Sequence, residues 1–438
     1  MGQDTWHNWA GTETASPYRY ATPRSVDELS ALVSEAAERG LRVKAVGAAH
    51  SFTGVAVTDG ILVSLDNLSG IDSVTLDDRA GALVTVFAGT RLHELNEQLW
   101  HRGLAMINLG DIDVQSVAGA LSTGTHGTGA RFGGLATQIR ALQVVLADGS
   151  IVECSPAENP DLFEAARLGL GAVGIISKVT LQCVAHFVMH AVEAPGSLDS
   201  TLDRLDHDRT GVDHFEFYWF PHTRRVLTKR NTRLPGDTPI SPLHPLRAYV
   251  DDEVLTNVVF EGLNRVATLA PSAIPKINQL SCRVLGTREY TDRSYRVFAS
   301  QRRVKFREME YAVPVEALPD VLVAIDSWVE NSGFTVAFPV EVRFAAADDV
   351  WLSTANGRNT AYIAVHQYYR RDHEPYFAAV EAIARNVDGR PHWGKMHGRT
   401  ADDLRTTYPD FDRFVSARDK YDSARMFGNA YLQQVLGR

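Results

Sequence analysis

Val43-Lys44-Ala45-Val46-Gly47-Ala48-Ala49-His50-Ser51-Phe52-Thr53 is the stretch whose reading decides the fold. Its apolar start, interrupted by Lys44, reads as a short buried strand that stops at Gly47. Small residues follow, then His50 and Ser51. Small side chains at a strand end let backbone N–H groups come close to a ligand, and a row of such groups forms a nest for phosphate oxygens. Phosphate binding alone does not explain a histidine in such a nest. A turn whose histidine hydrogen-bonds the backbone is the plainer reading, and the stretch by itself leaves both open.

Outward from this stretch, Ser25-Val26-Asp27-Glu28 is a capping box, and Val26, Leu29, Leu32, Val33, Ala36 and Ala37 make a helical stripe that ends at Gly40. Ile61 to Leu65 and Leu83 to Val86 read as strands, and Leu92 to Gly103 as a helix. A second block, Gly110 to Gly134, holds seven glycines with Ser and Thr between them, including Ser116-Val117-Ala118-Gly119 and Thr125-His126-Gly127-Thr128-Gly129. This composition predicts a loop dense in N–H and hydroxyl donors rather than a helix. A flexible linker is the alternative, but Val117, Ala118, Ala120 and Leu121 ask for burial.

Ile139 to Leu146 is read as a strand turned by Asp148-Gly149, and Asn159-Pro160 opens a helix. Gly169-Leu170-Gly171-Ala172-Val173-Gly174 satisfies G-x-G-x-x-G, the dinucleotide fingerprint, which requires a strand before it and a helix after. Here the order is reversed, with a helix before and the strand Ile175 to Val184 after, so a nicotinamide-binding fold is rejected.

The character changes near residue 185. His214 to Phe220 is a strongly aromatic strand, paired with Val226 to Arg233. Leu234 to Pro245, with four prolines, reads as an irregular surface excursion, and helical patterning runs from about Asp251 to Ala267. Val304 to Val313 is a further strand, and Leu318, Val321, Leu322, Ile325 and Val329 form a helical stripe. In Thr335 to Phe344 the even positions Val336, Phe338, Val340, Val342 and Phe344 are apolar, so Glu341 and Arg343 share the opposite face. A solvated ion pair and a reactive site both fit that pattern. Tyr362 to Tyr368 aligns His366 with Tyr368, and if these two strands are neighbours the four polar groups converge. Glu374 to Asn386 is a helix, after which Arg390-Pro391-His392-Trp393-Gly394-Lys395 reads as a fixed turn.

With 438 residues, 45% hydrophobic and 22% charged, the chain is an ordinary globular protein of two to three domains. Its net charge of −9 argues against a nucleic-acid partner. Three cysteines, Cys154, Cys183 and Cys282, make no disulfide framework and fit a reducing compartment. No secretory signal and no apolar run of the ~18–20 residues a membrane span needs is visible. The expected location is cytoplasmic, with peripheral membrane association left open. No HExxH or paired-cysteine spacing points to a metal, and no G-x-S-x-G points to a serine hydrolase.

The His50 loop, the glycine block, the Glu341-Val342-Arg343 strand and the His392-Trp393-Gly394-Lys395 turn together resemble the vanillyl-alcohol-oxidase flavoprotein superfamily. Within it they are similar to the aldonolactone oxidoreductases, close to the alditol oxidases. Asp213 to Phe217, Phe306 to Pro314 and Tyr421 to Leu436 carry the likeness over nearly the whole chain, though Gly428 stands where the family more often has Leu. The resemblance implies an α+β fold of two domains: an FAD-binding domain over 1–184, a substrate cap with an antiparallel sheet over 185–390, and a segment 391–438 returning to the first. It implies FAD bound covalently through His50, and cofactor contacts from Val46, Gly47, Ala48, Ala49, Ser51, Ser116, Gly119, Gly124, His126, Gly127, Thr128, Gly174, Ile175 and His392. It implies catalytic roles for Glu341, Arg343, Lys395, Ser116, His366 and Tyr368. The implied reaction is hydride transfer from a secondary alcohol of a sugar lactone of the L-gulono-1,4-lactone type, with oxygen or another acceptor. Oxidation of a polyol such as xylitol or sorbitol is the alternative.

Overall fold

The computed structural model describes residues 5–77, 81–244, 259–284, 286–299 and 303–438. The helix Val26–Glu38 forms where the stripe placed it: Ser25 caps it by accepting from Glu28 N–H, and Leu29, Leu32, Val33 and Ala36 are buried. It leads into Val43–Val46, which pairs in parallel with Ile61–Ser64; Arg19–Ala21 lies on the other side of that strand. Next to this small parallel sheet stands an antiparallel one, in the order Ile151–Cys154, Ile139–Val145, Ile175–Ala185, Gly81–Phe87, Ile71–Asp77, with Leu104–Met106 also pairing to Ile175–Ala185. The helices Ala401–Arg405, Phe411–Tyr421 and Ala430–Leu436 bury Leu404, Phe411, Phe414 and Val435 in the same core as these first sheets.

The second large sheet, of eight antiparallel strands, begins at Phe187. Its order is Arg288–Arg293, Phe187–Ser197, Arg225–Pro235, His214–Phe220, Val340–Ala345, Thr360–Tyr368, Phe306–Pro314, Arg390–Pro391. One face carries Phe215, Phe217, Val340, Val342, Phe344, Ile363 and Val365, and the helices Leu318–Ser332 and Glu374–Arg385 cover it with Val321, Ile325, Tyr376 and Val380. Because side chains alternate across a strand, the other face must take Glu216, Tyr218, Glu341, Arg343, His366, Glu308 and Glu310. The register agrees: Tyr218 is opposite Glu341, Arg343 opposite Tyr362, and Glu308 opposite His366.

Two expectations are corrected. The glycine block contains a helix, Val117–Ser122, capped by the Ser116 hydroxyl. Burial of Val117, Ala120 and Leu121 at i, i+3, i+4 spacing outweighs the cost of Gly119 in so short a helix. The excursion expected from Leu234 starts later, since Arg225–Pro235 stays paired with Phe187–Ser197 along its full length. Pro245 and the residues 251–258 of the expected helix lie outside the described residues; beyond them a helix covers Phe260–Leu269.

Candidate functional site

The loop after Val43–Val46 is held from one side. Trp9 N–H donates to Ala49 C=O at 2.8 Å, and Asn8 Nδ2 donates to Ser51 C=O at 2.9 Å. Ala49 sits at φ 58°, a left-handed conformation that a non-glycine residue adopts at a cost and that functional loops often retain. The other side of the loop faces a groove lined by Val46 to Ser51 together with Ser116, Gly119, Gly174 and Ile175. A Cβ at Gly47 would stand 2.3 Å from Ser116 Oγ, so any side chain there makes that hydroxyl move. The His50 ring stacks on Trp9 at 5.3 Å. Burial, then the charges of Lys395 and Arg91, lower the imidazole from 6.5 to about 4, so it is neutral at physiological pH.

The turn carrying Lys395 docks directly on this loop. Phe52 N–H donates to Gly394 C=O at 2.7 Å, and Thr53 Oγ1 to Trp393 C=O at 3.2 Å. From there Lys395 reaches the charged face of the second sheet and pairs with Glu308. Glu308 also faces His366 Nε2 at 3.4 Å. Burial alone would raise the Glu308 carboxyl, but Lys395 and His366 outweigh it and bring it down to about 2. Burial likewise works against the Lys395 ammonium, yet Glu308 and Glu310 hold it above 10.5.

Farther along the same face, Arg343 pairs with Glu341, with Glu216 through Nε at 3.2 Å, and with Asp111 at 3.2 Å. Tyr218 donates its hydroxyl to Glu341 at 2.7 Å. Glu341 and Arg343 are 3% and 6% exposed, so the solvated-pair reading of that strand fails. His366 is wedged between Phe306 and Phe338. The Tyr368 hydroxyl is bonded to Glu261, on the helix Phe260–Leu269.

The second half of the glycine block is placed differently from its first half. Gly124, His126, Gly127 and Thr128 do not line the groove. Thr128 Oγ1 donates to Phe215 C=O and accepts from Phe344 N–H, tying the block to the second sheet. Gly127 is required by packing, since a Cβ there would lie 2.1 Å from Leu109 O. Gly124, at φ 81°, turns the chain against Leu168. His126 crosses to Glu310, with Nε2 to Oε1 at 2.7 Å, while Nδ1 lies 2.8 Å from Gly127 C=O. Each ring nitrogen thus faces an acceptor oxygen, and the ring bridges the glycine block to the second sheet.

His126, Glu310 and His392 offer ligand atoms within 4.8 Å of one another, a spacing a metal could use. The tautomer of His392 opposes it. Its Nδ1 accepts from Gly394 N–H at 3.0 Å, which leaves the proton on Nε2 and makes that nitrogen a donor. Burial lowers His392 to about 4, so the ring is neutral.

Glu216, Tyr218, Glu308, Glu310 and Asp111 were not picked out as site residues from the sequence. Four of them had a readable signal: Glu308 and Glu310 alternate with Met309 and Tyr311, and Glu216 and Tyr218 with Phe217 and Trp219, as Glu341 and Arg343 do with Val342. Asp111, in an irregular loop, had none.

A family model described as D-arabinono-1,4-lactone oxidase matches residues 179–435, and one described as FAD binding domain matches residues 17–155. L-gulono-1,4-lactone dehydrogenase of Mycobacterium tuberculosis (strain CDC 1551 / Oshkosh) is 42% identical over 435 residues, 99% of each chain. L-gulonolactone oxidase of Bos taurus is 35% identical over 440 residues, 98% of each chain. Among solved structures, cholesterol oxidase from B. sterolicum superposes with a TM-score of 0.79 at 17% identity, over 99% of this chain and 97% of that one, a likeness of fold. Two halves that meet across one charged sheet face, and relatives alike from end to end, lead to one assignment: the chain belongs to the D-arabinono-1,4-lactone oxidase family and carries that family's FAD-binding domain.

Proposed function

We propose that the chain is an FAD-dependent oxidoreductase acting on a secondary alcohol of a sugar lactone of the L-gulono-1,4-lactone type. The observation that carries this reading is the docking of the Lys395 turn on the His50 loop, which sets the groove beside the charged face of the second sheet. The groove suits FAD. Among the described residues the N–H groups from Gly47 to Ser51 have no backbone acceptor, and the surrounding side chains are small, so they can face a pyrophosphate. In this proposal residues 1–184 and 391–438 hold the cofactor, with His50 attached to it covalently and Ser116 beside its ring system, and residues 185–390 hold the substrate.

The chemistry that bound FAD would supply is a two-electron acceptor for the hydride of the carbinol carbon, with the hydroxyl giving up its proton. The protein's part is to bind, orient and carry charge. Glu341, fixed by Arg343 and Tyr218, accepts a hydrogen bond from a sugar hydroxyl. Arg343 and Lys395 place positive charge where negative charge develops, Arg343 from a position shielded from water. His392 offers its Nε2–H as a further donor. A polyol substrate has less support, because the relatives' names are those of lactone enzymes. The cysteines are buried and free, in keeping with a cytoplasmic location, and no helix among the described residues is long and apolar enough to cross a membrane.

The test is to purify the protein, denature it and look for flavin fluorescence on the chain, then to add L-gulono-1,4-lactone or xylitol anaerobically. Bleaching of the flavin by the lactone is the expected result. Bleaching by xylitol alone, or by neither, overturns the assignment, and peroxide release in air tells whether oxygen is the acceptor.

A further inference from the structure

We infer that Glu308 is a positioning residue for this reaction: its carboxylate fixes the Lys395 ammonium in the site, and His366 packs beside that carboxylate on its far side. The inference rests on the proposed function, in which Lys395 meets the substrate.

Lysine is a flexible point charge, and a buried one needs a partner both to stay charged and to stay in place. Here main chain and side chain are tied to the same residue. Met396 N–H donates to Glu308 C=O at 2.9 Å, extending the contact between the turn and the strand Phe306–Pro314, while Lys395 Nζ pairs with Glu308 Oε2. Glu308 is 4% exposed, and its other oxygen faces His366 Nε2. His366 Nδ1 lies 3.4 Å from Pro339 C=O, and Phe306 and Phe338 pack against the ring. A ring so enclosed supports Glu308 rather than the substrate, which redefines the catalytic role first expected of His366.

The molecule holds its own control. Lys44 is also buried, but its ammonium is bonded to the carbonyls of Leu170, Gly171 and Phe427 rather than to a carboxylate. Burial takes Lys44 down to about 7 although Asp422 opposes the shift. Lys395, with 23% of its side chain exposed and a carboxylate in contact, stays above 10.5. The charged and titratable groups facing Lys395 are Glu308 and Glu310 on their strand, Asp111 from the glycine block, His50 from the first loop, and His392 in its own turn, with His366 behind Glu308. Of the acids, Glu308 alone pairs with it at contact distance among the described residues. Replacing that carboxylate by a neutral amide takes away the cation's contact partner, so its proton should leave at a lower pH than in wild type.

The experiment compares wild type, Glu308→Gln, Glu308→Asp and His366→Asn as holoenzymes. Two quantities are read from pH 6 to 10: the rate of flavin reduction by L-gulono-1,4-lactone in single turnover, and the ¹³Cε resonance of Lys395 in lysine-labelled protein, identified by its loss in Lys395→Met. Wild type is expected to show no loss of rate from this lysine up to pH 9. Glu308→Gln should lose about tenfold between pH 7 and 9, with the Lys395 resonance titrating in that range. Glu308→Asp should restore the flat profile in part, and His366→Asn should fall between wild type and Glu308→Gln. An unshifted Lys395 titration in Glu308→Gln overturns the inference, and so does a wild-type pH profile in that variant. If Glu308→Gln does not fold, a wild-type profile and titration in both Glu308→Asp and His366→Asn overturn it. If the lactone fails to reduce wild-type flavin, the proposed function falls, while the Lys395 titration still decides the role of Glu308.

Discussion

Attachment of FAD through His50 would depend on pH in a way the environment of that ring dictates. Only neutral imidazole has a lone pair to give, so the rate should follow the neutral fraction. At the ordinary value of about 6.5 that fraction falls from about 0.9 at pH 7.5 to about 0.1 at pH 5.5, a tenfold slowing. Burial, aided by Lys395 and Arg91, brings His50 to about 4. Over the same interval its neutral fraction changes by only about 3%. Apoprotein from a riboflavin-starved host, mixed with saturating FAD at each pH and quenched in acid, gives the rate as fluorescence retained by the precipitated chain. The rate should be level from pH 7.5 to 5.5, and His50→Ala should retain none. A tenfold fall across that range, with reversible FAD binding unchanged, refutes the burial argument. Retained fluorescence in His50→Ala refutes the attachment site.

Gly47→Ala should purify with less flavin, seen in the ratio of absorbance at 450 to 280 nm: its Cβ displaces the Ser116 hydroxyl that caps Gly119 N–H, a loss of about 1 kcal/mol before any shift of the loop. Glu341→Gln and Arg343→Ala should each keep the flavin and slow its reduction by the lactone, Arg343→Ala by about 100-fold or more, because it leaves Glu216, Glu341 and Asp111 facing one another without their shared cation; unchanged stopped-flow rates in both would remove the pair from the chemistry. Lys44 is brought from 10.5 to about 7 on folding, so the unfolded chain binds the extra proton between those limits and stability from this group rises with pH across them. The slope is at most about 1.4 kcal/mol per pH unit. Urea titrations should show Lys44→Met losing that slope relative to wild type, and parallel pH profiles would refute the assignment.

The elements read from the sequence with most success were those with strong periodicity: the capped helix Val26–Glu38, the helix Leu318–Ser332 and the aromatic strand His214–Phe220. Ile71–Asp77 went unread because Asp72, Ser73 and Thr75 dilute its pattern and it lies at a sheet edge, with Val74 and Leu76 exposed. In the glycine block composition argued for a loop, while the spacing of Val117, Ala120 and Leu121 argued for a helix; packing followed the spacing. The pairing of Val340–Ala345 with Thr360–Tyr368 could only be conditional from sequence, since strand order in an antiparallel sheet is a tertiary fact. The same limit hid two partners of Arg343, Asp111 and Glu216, which come from other stretches of chain, while Glu341 on the same strand was legible from the alternation.

One physical problem links these features. The second sheet turns an acidic face inward, with Glu216, Glu308, Glu310 and Glu341 all less than 10% exposed, and a buried carboxylate is costly unless a cation stands beside it. Arg343 comes from within the sheet, but the partners of Glu308 and Glu310 do not: Lys395 arrives on the turn that docks against the His50 loop, and His126 on the glycine block. Asp111 in turn reaches from that block to Arg343. The charges that would do the chemistry are therefore balanced across the boundary between the two halves, and their neutrality depends on the halves being docked. Removing one partner strands a buried charge on the opposite half, which is why the groove and the charged face are held in register as a unit rather than as two separately stable surfaces.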